Sequence, residues 1–192
     1  MPPKFLFMRE QIITAALNTV RRAGLSGLTA RSLAAELGCS VKPIFGLFKN
    51  MEEVQREVMV AADRLYQRHI AQAMAEGRYP PYKASGMAYI SFAREERELF
   101  RLLFMRDRSG ETIVENRESI RPLLELLEKN LGISEDEANM LHLEMWLYAH
   151  GIATMLATAY LEWDEEFISR ALTDAYVGLT GRYKERKKHD GD

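Results

Sequence analysis

Apolar residues recur every three or four positions along most of this sequence, which is the spacing of a helix that buries one face. The first such run predicts a helix from Met8 to Ala23. Only 6 prolines and 12 glycines interrupt the 192 residues, and 47% of the chain is apolar. The pattern therefore predicts a globular, all-α protein.

Two short helices separated by a glycine follow the first helix. Thr29 is placed to cap the first of them, and Gly38 stands where a helix ends in a left-handed residue. Ser40 is predicted to cap the second. The apolar positions at helical spacing are Leu33, Ala34 and Leu37 in the first helix and Val41, Ile44, Phe45 and Phe48 in the second. This arrangement is typical of a helix-turn-helix, over about residues 29–48, that presents a helix to the major groove of DNA.

Longer helices are predicted for the rest of the chain. Ser134 and Glu137 have the spacing of a capping box, which marks the start of one of them. The predicted helices are about Glu52 to Ala75, Tyr82 to Met105 with a break near Arg94 to Glu96, Thr112 to Leu131, Glu135 to Leu161, and a last one from after Asp164 to about Lys187.

The spacing of particular residues in the first third of the chain carries a resemblance. These residues are Arg9-x-x-Ile12-x-x-Ala15-Ala16-Leu17, Gly24, Leu28-Thr29-x-x-x-Leu33-Ala34, Gly38-x-Ser40 and Phe45-x-x-Phe48, followed by Glu52-Glu53. With this spacing the segment resembles the DNA-binding domain of tetracycline-repressor (TetR) family regulators. A second motif, Trp146-x-x-x-His150-Gly151, looks like the tryptophan-histidine-glycine signature of one class of ligand-binding domain in that family.

The resemblance implies a regulator of transcription with two helical domains. Residues 6–52 would form a three-helix DNA-binding domain with the helix-turn-helix, and residues 53–187 a helical effector-binding and dimerisation domain. The expected protein is a homodimeric repressor that binds a palindromic operator in double-stranded DNA and is released by a small-molecule effector. The alternative is a dimeric, ligand-binding helical protein that has lost DNA binding.

Charge is divided unevenly along the chain. Residues 1–50 hold seven basic and two acidic residues, whereas the whole chain has a net charge of −2. The first 50 residues therefore carry +5 and the remainder −7. A basic head on an acidic body is expected when only the head faces phosphates.

The residues predicted to contact DNA lie in and around the helix-turn-helix. Lys42 and Lys49 are suited to neutralising phosphates, and Lys42 could instead reach a guanine edge. The complete predicted set is Thr29, Arg31, Ser40, Val41, Lys42, Pro43, Phe45, Gly46, Leu47 and Lys49.

Three positions depart from the family pattern in ways that bear on DNA affinity. Phe45 stands where the family usually has a tyrosine whose hydroxyl touches a phosphate, Leu47 replaces a common histidine, and Met51 replaces a common lysine. Because each phosphate contact is worth about one unit of salt slope, weaker non-specific binding than the family norm is expected.

Aromatic residues of the predicted body are candidates for an effector pocket. His142, Trp146 and His150 are spaced so that all three lie on one helix face, where they could orient a polar group in an apolar cavity. The same rings could equally be packed core residues or lie at a subunit contact. The predicted effector-binding set is Tyr66, Tyr89, Phe92, Phe100, Phe104, His142, Trp146 and His150, with Met105 as a further candidate.

The last two helices carry the prediction of a dimer. In Leu141 to Leu161, 15 of 21 residues are apolar, so this helix must be covered on all sides. Small residues recur on both helices and would allow close approach. They are Ala149, Ala153 and Ala157 on one helix and Ala171, Ala175 and Gly178 on the other. A two-fold, four-helix contact between subunits is the preferred interpretation, and tight packing within one subunit is the alternative.

Several classes of function are excluded by composition. The single Cys39 rules out an internal disulfide and fits a cytoplasmic location. No nucleophile–base pair, glycine-rich phosphate loop or metal-ligand spacing is present, so an enzyme, a cofactor and a metal site are not expected. Met145 to Leu161 has no charged residue, but its His150, Gly151 and Thr154 favour a buried helix over a membrane span.

Overall fold

Every regular element in the computed structural model, which describes residues 7–107, 109 and 113–189, is helical. The all-α prediction is confirmed. The helices, with a 3₁₀ turn at Leu25–Gly27 between the first two, are α1 (Arg9–Ala23), α2 (Ala30–Glu36), α3 (Lys42–Leu47), α4 (Met51–Glu76), α5 (Pro81–Glu95), α6 (Arg97–Phe104), α7 (Ile113–Leu131), α8 (Glu135–Ala157) and α9 (Glu165–His189).

The turn of the helix-turn-helix forms largely as its residues predict. The Thr29 hydroxyl accepts a hydrogen bond from the backbone N–H of Ser32 at 3.1 Å, which caps α2. Gly38 has a φ of +65°, the left-handed conformation expected at the end of that helix.

The predicted Ser40 cap of α3 is wrong. Val41 occupies the cap position and already has helical angles, φ −67° and ψ −16°. A cap at Ser40 would lack one of the two usual donors, since the residue three positions on is Pro43, which has no backbone N–H. The helix therefore starts at Lys42 without a side-chain cap.

The first of two compact units contains the residues up to Arg68 together with Glu95–Arg106. Its core is formed by side chains that are almost fully buried, among them Ile12, Leu33, Ile44, Phe48, Val58 and Leu99. Helix α6 packs against α1 within this unit. The division thus differs from the predicted one at residues 52/53, because the apolar face of α6 completes the core around α1.

The second unit contains His69–Arg94 and the residues from Asp107 onward. Helix α8 packs against both α7 and α9. The predicted capping box at its start is confirmed, since Ser134 and Glu137 each accept a hydrogen bond from the other's backbone N–H. Its end comes at Ala157, earlier than the predicted Leu161. The Thr158 hydroxyl donates to the Thr154 carbonyl, and Ala159 has a φ of +54°.

Candidate functional site

The surface of α3 separates core residues from exposed ones. Ile44 and Phe48 are almost fully buried and fix the helix in the first unit. Of the ten residues predicted to contact DNA, Pro43 and Leu47 are partly exposed and the other eight are exposed. None of the ten is buried in the core.

Arg9 connects three helices behind this surface. It donates a hydrogen bond to the carbonyl oxygen of Leu47, at the end of α3, at a distance of 2.5 Å. It also forms ion pairs with Glu53, at 2.7 Å, and with Glu57, both on α4. Its guanidinium carbon lies 4.2 Å from the centroid of the Phe48 ring. Sequence reasoning placed Arg9 in a motif but missed this role, because its partners lie 38 to 48 residues away.

Glu53 holds the turn between α3 and α4. Its carboxylate accepts a hydrogen bond from the backbone N–H of Lys49 at 2.6 Å, in addition to the bond from Arg9. The side-chain oxygen of Asn50 accepts a hydrogen bond from the backbone N–H of Glu53 at 2.9 Å. The hydrogen bond from Arg9 lowers the pKa of the Glu53 carboxyl most, and the hydrogen bond from the Lys49 N–H lowers it further. The carboxylate therefore stays ionised and keeps the turn in place.

Some basic residues of the first unit are paired with carboxylates and others are not. Arg9, Arg21 and Arg22 are neutralised by carboxylates of the same unit, for example Arg21 by Glu96 at 2.7 Å. These pairs raise the pKa of each arginine. We call the surface formed by the ten residues predicted to contact DNA the docking surface. Within the part of the chain that the structure describes, no ion pair involves its three exposed cations, which are Arg31, Lys42 and Lys49. The charge of these three cations is therefore not neutralised within the described chain, and all three lie where DNA contact was predicted.

In the second unit, two histidines of α8 are paired with tyrosines of α5. The Tyr89 hydroxyl lies 2.7 Å from Nδ1 of His150, and the Trp146 ring stacks on His150 with centroids 4.9 Å apart. The Tyr82 hydroxyl lies 3.1 Å from Nδ1 of His142. Burial lowers the pKa of both histidines, so these are neutral hydrogen-bonded pairs at pH 7.

Comparison with known proteins decides the family. A family model for the tetracyclin repressor-like C-terminal domain matches residues 82–177, half of the chain. The chain belongs to the tetracyclin repressor-like (TetR) family. A comparison with curated protein sequences finds no match.

Solved structures share the fold of this TetR-family chain. A protein with unknown function from Rhodococcus sp. RHA1 is 21% identical, with a TM-score of 0.69 over 94% of this chain and 97% of that one. A TetR-like transcriptional regulator from the same organism is 16% identical, with a TM-score of 0.63 over 95% and 97%. The multidrug binding protein EbrR, complexed with imidazole, is 19% identical, with a TM-score of 0.52 over 90% and 95%.

The predicted effector-binding residues do not all belong to one unit. Tyr66, Phe100, Phe104 and Met105 lie in the first unit, where Tyr66 contacts Phe104 edge-on with centroids 5.1 Å apart. Tyr89, Phe92 and the three rings of α8 lie in the second unit. Sequence reasoning missed His69, which lies 2.8 Å from the Ser91 hydroxyl and edge-on to Phe92. None of the predicted residues lines the surface cleft of about 320 Å³ between the start of α8 and the end of α9.

The small-residue row on α8 is not at the surface. Ala149, Ala153 and Ala157 are buried by their own chain, with Ala153 0% exposed, which corrects their assignment to a subunit contact. On α9, Ala171 and Ala175 are half-buried and Gly178 is exposed. The apolar residues that α8 does expose are Met140, Leu143, Leu147, Tyr148 and Met155, and α9 exposes Phe167 and Val177.

Among the described residues, no group of three or more His, Cys, Asp or Glu side chains is arranged to hold a metal ion. No helix in the described ranges is both long and apolar enough to cross a membrane.

Proposed function

We propose that this TetR-family chain is a sequence-specific DNA-binding regulator of transcription. It acts in the cytoplasm as a homodimer on a palindromic operator, as a repressor that a small-molecule effector releases. The observation that carries the proposal is the combination on one unit of an exposed α3 surface and three exposed cations without ion pairs. Phosphates are the partners that such cations fit.

The anchoring of α3 supports a rigid docking surface. Arg9 binds the last carbonyl of α3, and Glu53 binds the N–H of Lys49 just after it. A helix held at both its core face and its C-terminal end keeps its side chains in one orientation. Contacts to base edges need that precision, because each depends on hydrogen-bond and van der Waals distances.

The exposed apolar residues of α8 support a subunit contact. Leu143, Leu147 and Met155, together with the exposed Gly151, are spaced four residues apart along one face of the helix. Such a face is covered in a stable protein by another surface, and a second copy satisfies this with two-fold symmetry. A dimer would also present two recognition helices to successive major grooves.

The paired rings of the second unit support effector binding there. Trp146 and His150 stack face to face, and Tyr89 and His150 share a hydrogen bond. A planar ligand with a polar group could replace these mutual contacts. The neighbouring structure of EbrR is that of a multidrug binding protein with a bound imidazole. An effector that prefers one arrangement of the dimer would shift the population away from the form that binds DNA.

A dimeric ligand-binding protein without DNA affinity is the second candidate. The exposed ring of Phe45 favours it, because this side chain has no hydroxyl to offer a phosphate. Leu47 and Met51 favour it as well, because their side chains are apolar at positions where polar ones are usual in the family.

Selection from a randomised duplex library with the purified full chain distinguishes the two candidates. Enrichment of a palindromic sequence supports the regulator. A pool that remains random after several rounds at low salt supports the ligand-binding protein.

A further inference from the structure

Two exposed apolar side chains, Val41 at the cap position of α3 and Phe45 within the helix, are not needed by the chain's own fold. Val41 is 38% exposed and Phe45 is 46% exposed. They lie four residues apart, so they are neighbours on one face of the helix. Ile44 and Phe48, almost fully buried, already provide the contacts that hold α3 on the core. We call the pair Val41 and Phe45 the apolar ridge.

The surroundings of the apolar ridge indicate what covers it. Ser40 and Lys42 are exposed beside Val41, and Lys49 is exposed just after the helix. A protein or lipid surface that covered two apolar side chains here would also have to accommodate the cations without ion pairs. DNA offers phosphates to these cations and, inside the major groove, an apolar group as well, the C5 methyl of thymine.

We propose that the apolar ridge reads thymine methyl groups in each operator half-site. Val41 stands at the start of α3, where helix-turn-helix residues contact base edges, and Phe45 follows one turn later. Each covers a methyl that only thymine presents, so the regulator prefers thymine at these two positions. The inference rests on the proposed function and specifies the chemistry of its DNA partner.

Uracil tests the inference, because it differs from thymine only by the C5 methyl. The probe is the duplex enriched from the randomised library, with each thymidine of one half-site replaced in turn by deoxyuridine. We expect a loss of about fourfold in affinity at one or two positions, the effect of removing one buried methyl from a contact. Other thymidines of the half-site should be insensitive.

Variants of the full chain assign the effect to the ridge. Val41→Ser removes both methyl groups of the side chain, and Phe45→Ala removes the ring. Each should bind the thymine duplex more weakly and lose its discrimination against deoxyuridine at one position. Val60→Ala is the matched control, because Val60 is 51% exposed in the same unit but lies on α4. It should keep both affinity and discrimination, and circular dichroism checks that all variants stay helical.

The outcomes separate this inference from the proposed function. If no duplex is enriched, the proposed function fails and the thymine contact fails with it. If a palindrome is enriched but deoxyuridine changes no affinity, the chain reads DNA without the ridge and only this inference is overturned. Discrimination that persists in both ridge variants overturns it as well.

Discussion

The guanidinium of Arg9 lies over the ring of Phe48, with its carbon 4.2 Å from the ring centroid. The same group binds the carbonyl of Leu47 and the carboxylates of Glu53 and Glu57. One side chain at the start of α1 therefore holds the end of α3 and the start of α4 together. This arrangement makes the orientation of α3 dependent on a residue that lies outside the helix-turn-helix.

Replacing Arg9 should lower both stability and DNA affinity. Arg9→Ala removes the hydrogen bond to Leu47 and leaves Glu53 and Glu57 without their partner, so the melting temperature should fall and affinity for the enriched duplex should drop. Arg9→Lys keeps the charge but not the planar fork, and should recover only part of the loss. Equal affinity of the alanine variant and the unmodified protein would contradict the anchoring role.

The exposed face of α8 should control assembly. Leu147, 58% exposed, lies on this face, and we expect Leu147→Glu to give helical monomers in sedimentation. Ala153→Glu should behave differently. It places a charge in a fully buried position, so the chain should lose several kcal/mol of stability and unfold. Lys129→Glu, on the exposed side of α7, is the control for added charge alone. A Leu147→Glu protein that remains a dimer would move the subunit contact elsewhere.

Stability should depend on pH through the two histidines of α8. Burial lowers the pKa of His142 and His150 in the folded chain below the ordinary value of 6.5. The unfolded chain therefore binds more protons just below pH 6.5, and the stability that the neutral rings contribute is lost as pH falls through the lowered pKa values. His142→Phe keeps a ring beside Tyr82 but cannot titrate. Urea unfolding across this window should show a weaker pH dependence for the variant, and an unchanged dependence would show that His142 titrates normally.

Trp146 should be needed for effector action but not for DNA binding. Compounds that raise the melting temperature of the full chain are the candidate effectors. Such a compound should weaken the DNA complex by a coupling of roughly 1–3 kcal/mol. Trp146→Ala removes the ring that stacks on His150 and should abolish both effects. DNA affinity without the compound should stay within about twofold of the unmodified protein, since Trp146 belongs to the second unit and α3 to the first. Trp163→Ala, which removes the half-buried ring that stacks on Phe167, serves as the control.

Local features of the fold were predicted from the sequence because their causes are local. The cap at Thr29, the left-handed Gly38 and the capping box at Ser134 each depend on residues within three or four positions. Helix α8 ends earlier than predicted, because apolar spacing continues to Leu161 whereas the backbone turns left-handed at Ala159.

Features that depend on distant partners could not be read from the sequence. Periodicity showed that α8 is apolar on all sides, but not which side its own chain covers, so the buried row at Ala153 was assigned to a subunit contact. The pairing of Tyr89 with His150 joins residues 61 positions apart. The membership of α6 in the first unit depends on contacts with α1 that no local pattern encodes.

Lysine substitutions assign the phosphate contacts within the docking surface. Lys42→Ala and Lys49→Ala should each weaken binding to the enriched duplex and lower the slope of affinity against salt by about one unit per lost contact. Lys129→Ala, an exposed lysine of the second unit, should change neither quantity. Unaltered slopes for both docking-surface variants would place the phosphate contacts on other residues.

The salt dependence of DNA binding by the full chain tests the central claim most directly. Arg31, Lys42 and Lys49 are present in each subunit, so a dimer offers six cations to phosphates. The logarithm of affinity for the enriched palindrome, plotted against the logarithm of salt concentration, should fall with a slope of roughly −5. A slope near zero, or no binding to any duplex at low salt, would contradict the assignment of this chain as a DNA-binding regulator.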